Sequence, residues 1–136
     1  MLLKYVDHSS NAIDNGVNET VITLKDDKYP VTVKLHYVAY GKENIIRTFT
    51  EISHEEKKPV ILCKYASSML HLNSSKYFLT EFSGDWAHEA NVTERELAFG
   101  KKVIDTKLGA RANMFVSPFF QLALDNPSQE NAAKCW

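Results

Sequence analysis

Two cysteines and five glycines are all that this chain of 136 residues carries of either, and each shortage closes off a class of chemistry. Cys63 sits in the apolar run PVILCKYA and reads as a small buried hydrophobe, while Cys135 is next to the last residue. No disulfide framework or thiolate metal site is expected from such a pair. The glycines are dispersed, so none of the clusters that open a phosphate-binding loop is present. Charge of neither sign prevails: 16 Lys and Arg against 17 Asp and Glu leave a net −1. No field of that size gathers nucleic acid or an anionic membrane, so neither partner is expected. The lysine pairs Lys57-Lys58 and Lys101-Lys102 read as solvated faces. No apolar run approaches the length of a membrane span. The start, MLLKYVDHSS, has no apolar stretch and cleavage site of a signal peptide. A cytoplasmic location is expected if the chain is complete, and location is otherwise undetermined.

Catalytic patterns are equally scarce. HEEKK at His54 has a glutamate but lacks the second histidine one turn later that a zinc-protease helix needs. The five histidines are far apart and read as strand residues rather than ligands, so no metal is expected, and no cofactor. Ser67-Ser68, in ASSML, lacks the glycine frame of a nucleophile elbow. Asn18, Asn73 and Asn91 each open an Asn-x-Ser/Thr triplet, which carries little weight without a sign of secretion.

What is there is a succession of short strands parted by turns. In PVTVKLHYVAYG, Val31, Val33, Leu35, Tyr37 and Ala39 face one way and Thr32, Lys34, His36 and Tyr40 the other, with Val38 the exception. Gly41 to Asn44 is a turn, and IIRTFTEIS is the return strand. ETVITLKD before it is a strand ended by DDKYP, and another is placed at Leu2 to Val6. KPVILCKYASSMLHL is expected to be a long, mostly buried strand, bent at Ser67-Ser68. KYFLTEF is a strand with Phe78, Thr80 and Phe82 opposite Tyr77, Leu79 and Glu81. FGKKVIDTKLG suggests a short strand between Gly100 and Gly109, and PFFQLALD a closing strand with Phe120, Leu122 and Leu124 on one face. Thr93 with Glu96 fits a capping box, so Thr93 to Gly100 could form one turn of helix. The spacing of turns suits an all-β, antiparallel β-sandwich. There is no internal repeat and no low-complexity linker.

FSGDWAHEANV, Phe82 to Val92, is the one stretch where chemistry concentrates. Asp85 and Glu89 are two carboxylates in one loop, and two carboxylates flanking a scissile bond are what glycoside hydrolysis requires. Such a pair also occurs as a turn aspartate and a solvated glutamate. Trp86 offers a flat apolar face and one donor, suited to the C–H face of a sugar, but it equally suits a core-edge plug. Both alternatives are open for each residue.

The segment YFLTEFSGDWAHEANVTERELAFGKKVIDTKLGARANMFVSPFFQLALD resembles the N-terminal β-domain of family-36 α-galactosidases, in particular a Bacteroides-like branch. Gly84, Asp85, Trp86 and Glu89 match a first motif. Gly100, Lys102, Ile104 and Asp105 match a second, and Gly109, Arg111, Pro118, Phe119 and Phe120 a third. The likeness extends back through NETVITLKDDKYPVTVKLHYVAYGKENIIRTFTEIS and on to about Glu130. Each motif is weak alone; their order and spacing over about a hundred residues make the likeness specific.

The resemblance implies a galactose-mutarotase-like supersandwich, followed in the family by a (β/α)₈ barrel and a small β-domain. In the family two aspartates of the barrel remove terminal α-galactosyl groups with retention. A barrel takes about 250 residues of alternating strand and helix, and this chain has neither that length nor that pattern. The resemblance therefore implies a non-catalytic chain with no catalytic residue of its own. It is expected to be a single, partial N-terminal domain over residues 1–136, because the family's strand pattern starts earlier and continues where this chain reads SQENAAKCW. Asp85, Trp86, Glu89 and Arg111 are the expected contacts to an α-galactoside at the rim of a substrate pocket. Unpaired strand edges would favour self-association and oligomers. Two other readings stay open: a free-standing carbohydrate-binding or protein-interaction module, and a small enzyme using Asp85 and Glu89.

Overall fold

Alternating side chains and β-branched residues build eight strands, seen in a computed structural model that describes residues 2–73, 76–105, 115–127 and 133–135. They are β1 (Leu3–Asp14), β2 (Val17–Asp26), β3 (Val31–Tyr40), β4 (Ile45–His54), β5 (Tyr77–Asp85), β6 (His88–Glu96), β7 (Val116–Leu124) and β8 (Ala133–Cys135). Every pairing is antiparallel, in two sheets of order β1-β2-β3-β4 and β6-β5-β7-β8. The all-β, antiparallel class is the one expected. The described residues contain no helix long and apolar enough to cross a membrane.

The chain divides into two compact units, Met1–Leu70 and His71–Trp136. The first is a four-stranded meander. Its β1–β2 turn is Asn15-Gly16, a dipeptide suited to a two-residue hairpin loop, and Gly16 takes a φ of 86° that an L side chain rarely adopts. The β2–β3 connection is organised by Asp26, whose Oδ1 accepts the backbone N–H of Lys28 at 2.9 Å and of Tyr29 at 3.0 Å. That is the reason DDKYP ends a strand: an aspartate side chain stands in for the ladder partner. Val33 and Val38 are its buried apolar residues, on opposite faces of β3 by the strand alternation. On the Val38 face, His36 Nδ1 is 2.9 Å from Glu19 Oε1. Its ring stacks on Phe49 at 4.3 Å between centroids.

The second unit is built on β5. Leu79 lies directly opposite Leu122, and these two with Ala123 and Thr80 are its buried residues among those described. Phe120, Leu122 and Leu124 pair with Glu81, Leu79 and Tyr77 and so share one face, as expected. Pro118 falls at the β7 irregularity between the Glu81–Phe120 and Ser83–Val116 pairs, where a missing N–H breaks no ladder bond.

Five expectations are corrected. The region Lys58 to Leu72 is not a strand. An apolar run becomes a strand only when a neighbour supplies a ladder, and none pairs with it among the described residues. Cys63 within it is exposed rather than buried. Thr93 to Glu96 is not a helical turn but the end of β6. There Glu94 accepts a bond from the Thr80 hydroxyl at 3.0 Å, a cross-strand tie that a capping box cannot offer. Gly100 to Asp105 forms no strand, and the remainder of that expected strand lies outside the described residues. The first strand, placed at Leu2 to Val6, instead runs through Asp14.

Candidate site at the β5–β6 hairpin tip

β5 and β6 close through Trp86 and Ala87, with Asp85 opposite His88. Two loop residues suffice because Ala87 takes a φ of 63°, a left-handed conformation that costs a residue with a Cβ about 1 kcal/mol. Asp85 is exposed, and its Oδ1 accepts the Trp86 backbone N–H at 2.7 Å. That bond ties the carboxylate to the turn. On the β6 side, Asn91 Nδ2 donates to the His88 carbonyl at 2.9 Å. The base of the tip is tied to the start of β7 by Gly84 N–H donating to the Phe115 carbonyl at 3.0 Å. Beneath it Phe82 and Phe119 pack ring on ring at 5.1 Å.

Trp86 stands 86% exposed at the apex. The indole is therefore not a core-edge plug. Its whole apolar face is presented to solvent beside one carboxylate, an arrangement that can accept sugar hydroxyls on Asp85 and stack a C–H face on the ring. Glu89 belongs to β6, three residues beyond Trp86 in the same hairpin; its side chain is outside the description. Arg111 lies outside the described residues. Asp85 and Trp86 are thus brought together with His88, which the sequence reading did not include. Only the turn geometry, with Asp85 and His88 as its closing pair, could have signalled it.

The titratable centre of this unit lies four residues back along β5. Glu81 accepts bonds from Lys102 Nζ at 2.9 Å and from Arg95 Nη2. Partial burial alone would raise its pKa, but the two cations win and hold the carboxyl below its ordinary range. Lys102 thereby pins the segment after Gly100 to β5. The described residues contain no group of three or more His, Cys, Asp or Glu that could hold a metal ion.

The two sheets and their antiparallel order define an all-β fold. Residues 3–136 match the family model described as Glycosyl hydrolase family 36 N-terminal domain. The chain belongs to that family. It is 27% identical over 124 residues to a protein named probable alpha-galactosidase G from Aspergillus terreus, covering 90% of this chain and 17% of that protein. It is 24% identical over 120 residues to alpha-galactosidase 2 from Hypocrea jecorina, covering 88% and 16%. In structure it resembles the GH36 alpha-galactosidase AgaA from Geobacillus stearothermophilus, with a TM-score of 0.76, 22% identity, and coverage of 91% of this chain and 19% of that one. At that identity the likeness speaks for the fold, an antiparallel β-sandwich domain. The chain spans less than a fifth of the length of each of these relatives.

Proposed function

We propose that this chain is the single, partial and non-catalytic N-terminal domain of an α-galactosidase-like glycoside hydrolase. Its hairpin tip forms part of the rim of a substrate pocket, and its strand edges support oligomerisation. The observation that carries the reading is Trp86, 86% exposed at the apex of a tight hairpin and next to the exposed Asp85. An exposed indole on a rigid two-residue loop gains from covering by a ligand face, and the relatives named as α-galactosidases make an α-galactoside the ligand of choice. Asp85 and Trp86 touch the sugar, with Glu89 and Arg111 as further contacts. A rim alone encloses little of a ligand, and affinity for small ligands follows enclosure.

The test is a titration with galactose or raffinose, followed by NMR and by tryptophan fluorescence in a Trp136→Phe background. The expected dissociation constant is about 1 mM or weaker, equivalent to roughly −4 kcal/mol. Micromolar binding that disappears in Trp86→Ala would instead identify a free-standing carbohydrate-binding module. A Trp86→Ala variant that unfolds would make the tip structural and defeat the rim reading.

A further inference from the structure

We propose that β4 is a dimerisation strand, which pairs antiparallel with β4 of a second copy about a two-fold axis at Phe49. This deepens the self-association in the reading above and rests on that part of it. The two edges of the first sheet differ. β1 carries register irregularities between Tyr5 and Asp7 and between Ala12 and Asp14, and bulges of that kind discourage edge pairing. β4 has none: its register against β3 is continuous from Ile45 to His54. It is exposed along its whole length, and IIRTFTEISH contains neither proline nor lysine. It has no bulge, proline or lysine to protect its open edge, and its two charges, Arg47 and Glu51, are of opposite sign.

The backbone and the side chains select the same register. Glu55 N–H donates to the Pro30 carbonyl at 2.9 Å, which makes the adjacent Val31–His54 pair a non-hydrogen-bonded one. Pair types alternate along an antiparallel ladder. The N–H and C=O groups of Ile46, Thr48, Thr50 and Ile52 therefore point away from β3, toward the free edge. Centring the pairing on Phe49 sets Thr48 against Thr50 and Ile46 against Ile52 of the second copy, so each outward group meets an outward group. The same register sets Phe49 against Phe49 and Arg47 against Glu51, twice over by symmetry. Threonine pairs, aromatic pairs and opposite charges are the cross-strand combinations that stabilise a sheet. Centring on Thr48 puts Arg47 against Phe49 and Ile45 against Glu51; centring on Thr50 puts Phe49 against Glu51. Neither satisfies the charges. Arg47 lies over the Phe49 ring, 5.1 Å from its centroid, and makes no salt bridge among the described residues. Glu51 stands 3.8 Å from both Lys34 Nζ and His36 Nε2 of its own chain, beyond hydrogen-bond distance, so Glu51 of the second copy would be the carboxylate of Arg47 while keeping those looser ion pairs. A closed, isologous dimer results.

Sedimentation of the full chain at tens of micromolar, an order set by ordinary association constants, provides the test. Glu51→Arg, which opposes two arginines at both ends, is expected to weaken the dimer by about tenfold or more. Arg47→Glu combined with Glu51→Arg is expected to restore it to within about threefold. Thr48→Pro removes an N–H that faces the edge and not β3, so it should give a monomer with the strand signal of the wild type retained. Phe49→Cys, in a Cys63→Ser, Cys135→Ser background, should form an intermolecular disulfide under mild oxidant, since a non-hydrogen-bonded pair stands about 4.5 Å apart at Cα. A dimer indifferent to Glu51→Arg and uncrosslinked by Phe49→Cys overturns this interface while leaving self-association intact. A chain that stays monomeric defeats both. If Glu51→Arg fails to fold, the charge-swapped variant and the cross-link decide.

Discussion

At the scale of single residues, Glu81 is the side chain whose surroundings say most about stability. Arg95 comes to it from the neighbouring strand and Lys102 from the segment beyond β6. Burial raises its pKa and the two cations lower it further than burial raises it, so the folded value lies below the ordinary one. The sign follows from linkage: the unfolded chain binds the proton more readily, so the contribution is present above the unfolded pKa and is lost as pH falls through the folded one. Glu81→Gln should cost about 1 kcal/mol at neutral pH, a modest figure because both cations face solvent. The gap between wild type and variant should close as pH falls below about 4.5, the ordinary carboxylate value. Urea unfolding of both proteins across that range would show it. A gap that widens in acid would mean that Glu81 is held by something other than its two cations.

At the scale of elements, the β5–β6 hairpin is shaped by one unfavourable backbone conformation. Ala87 has a φ of 63° where glycine would be at ease, and Gly16 occupies the equivalent place in the β1–β2 turn with a φ of 86°. Ala87→Gly should therefore stabilise the chain by about 0.5–1 kcal/mol, the relief of the left-handed Cβ outweighing the extra freedom of the unfolded glycine. Thermal unfolding would register the gain. A loss of stability would mean that the tip's own side chains hold the turn. The strands were legible before the structure wherever they alternate or are rich in β-branched residues, as in β2, β3, β4, β5 and β7. β6 was not, because HEANVTERE is mostly polar and pairs through the chemistry of its neighbour: Glu94 meets Thr80 and Arg95 meets Glu81. Lys58 to Leu72 erred in the opposite sense, since its composition suits a strand and nothing among the described residues pairs with it.

At the scale of the whole molecule, family membership rests on a match from residue 3 to 136, while the relatives are more than five times as long. The family's two catalytic aspartates belong to a barrel, and the regular elements among the described residues are eight strands in two antiparallel sheets. The purified chain is therefore expected not to turn over an aryl α-galactoside. Turnover that vanishes in Asp85→Asn would reverse that expectation and make Asp85 and Glu89 a catalytic pair. What the sequence determined by itself was the class, all-β and antiparallel, because alternation and turn residues are local properties written in neighbouring residues. What only the tertiary structure decided was pairing and exposure. Among the described residues it left PVILCKYA without a strand partner, turned Trp86 outward, set His88 opposite Asp85 and put β4 at a sheet edge. Such facts depend on residues far apart in the chain, and a strand's partner and a side chain's solvent contact exist only once those residues have met.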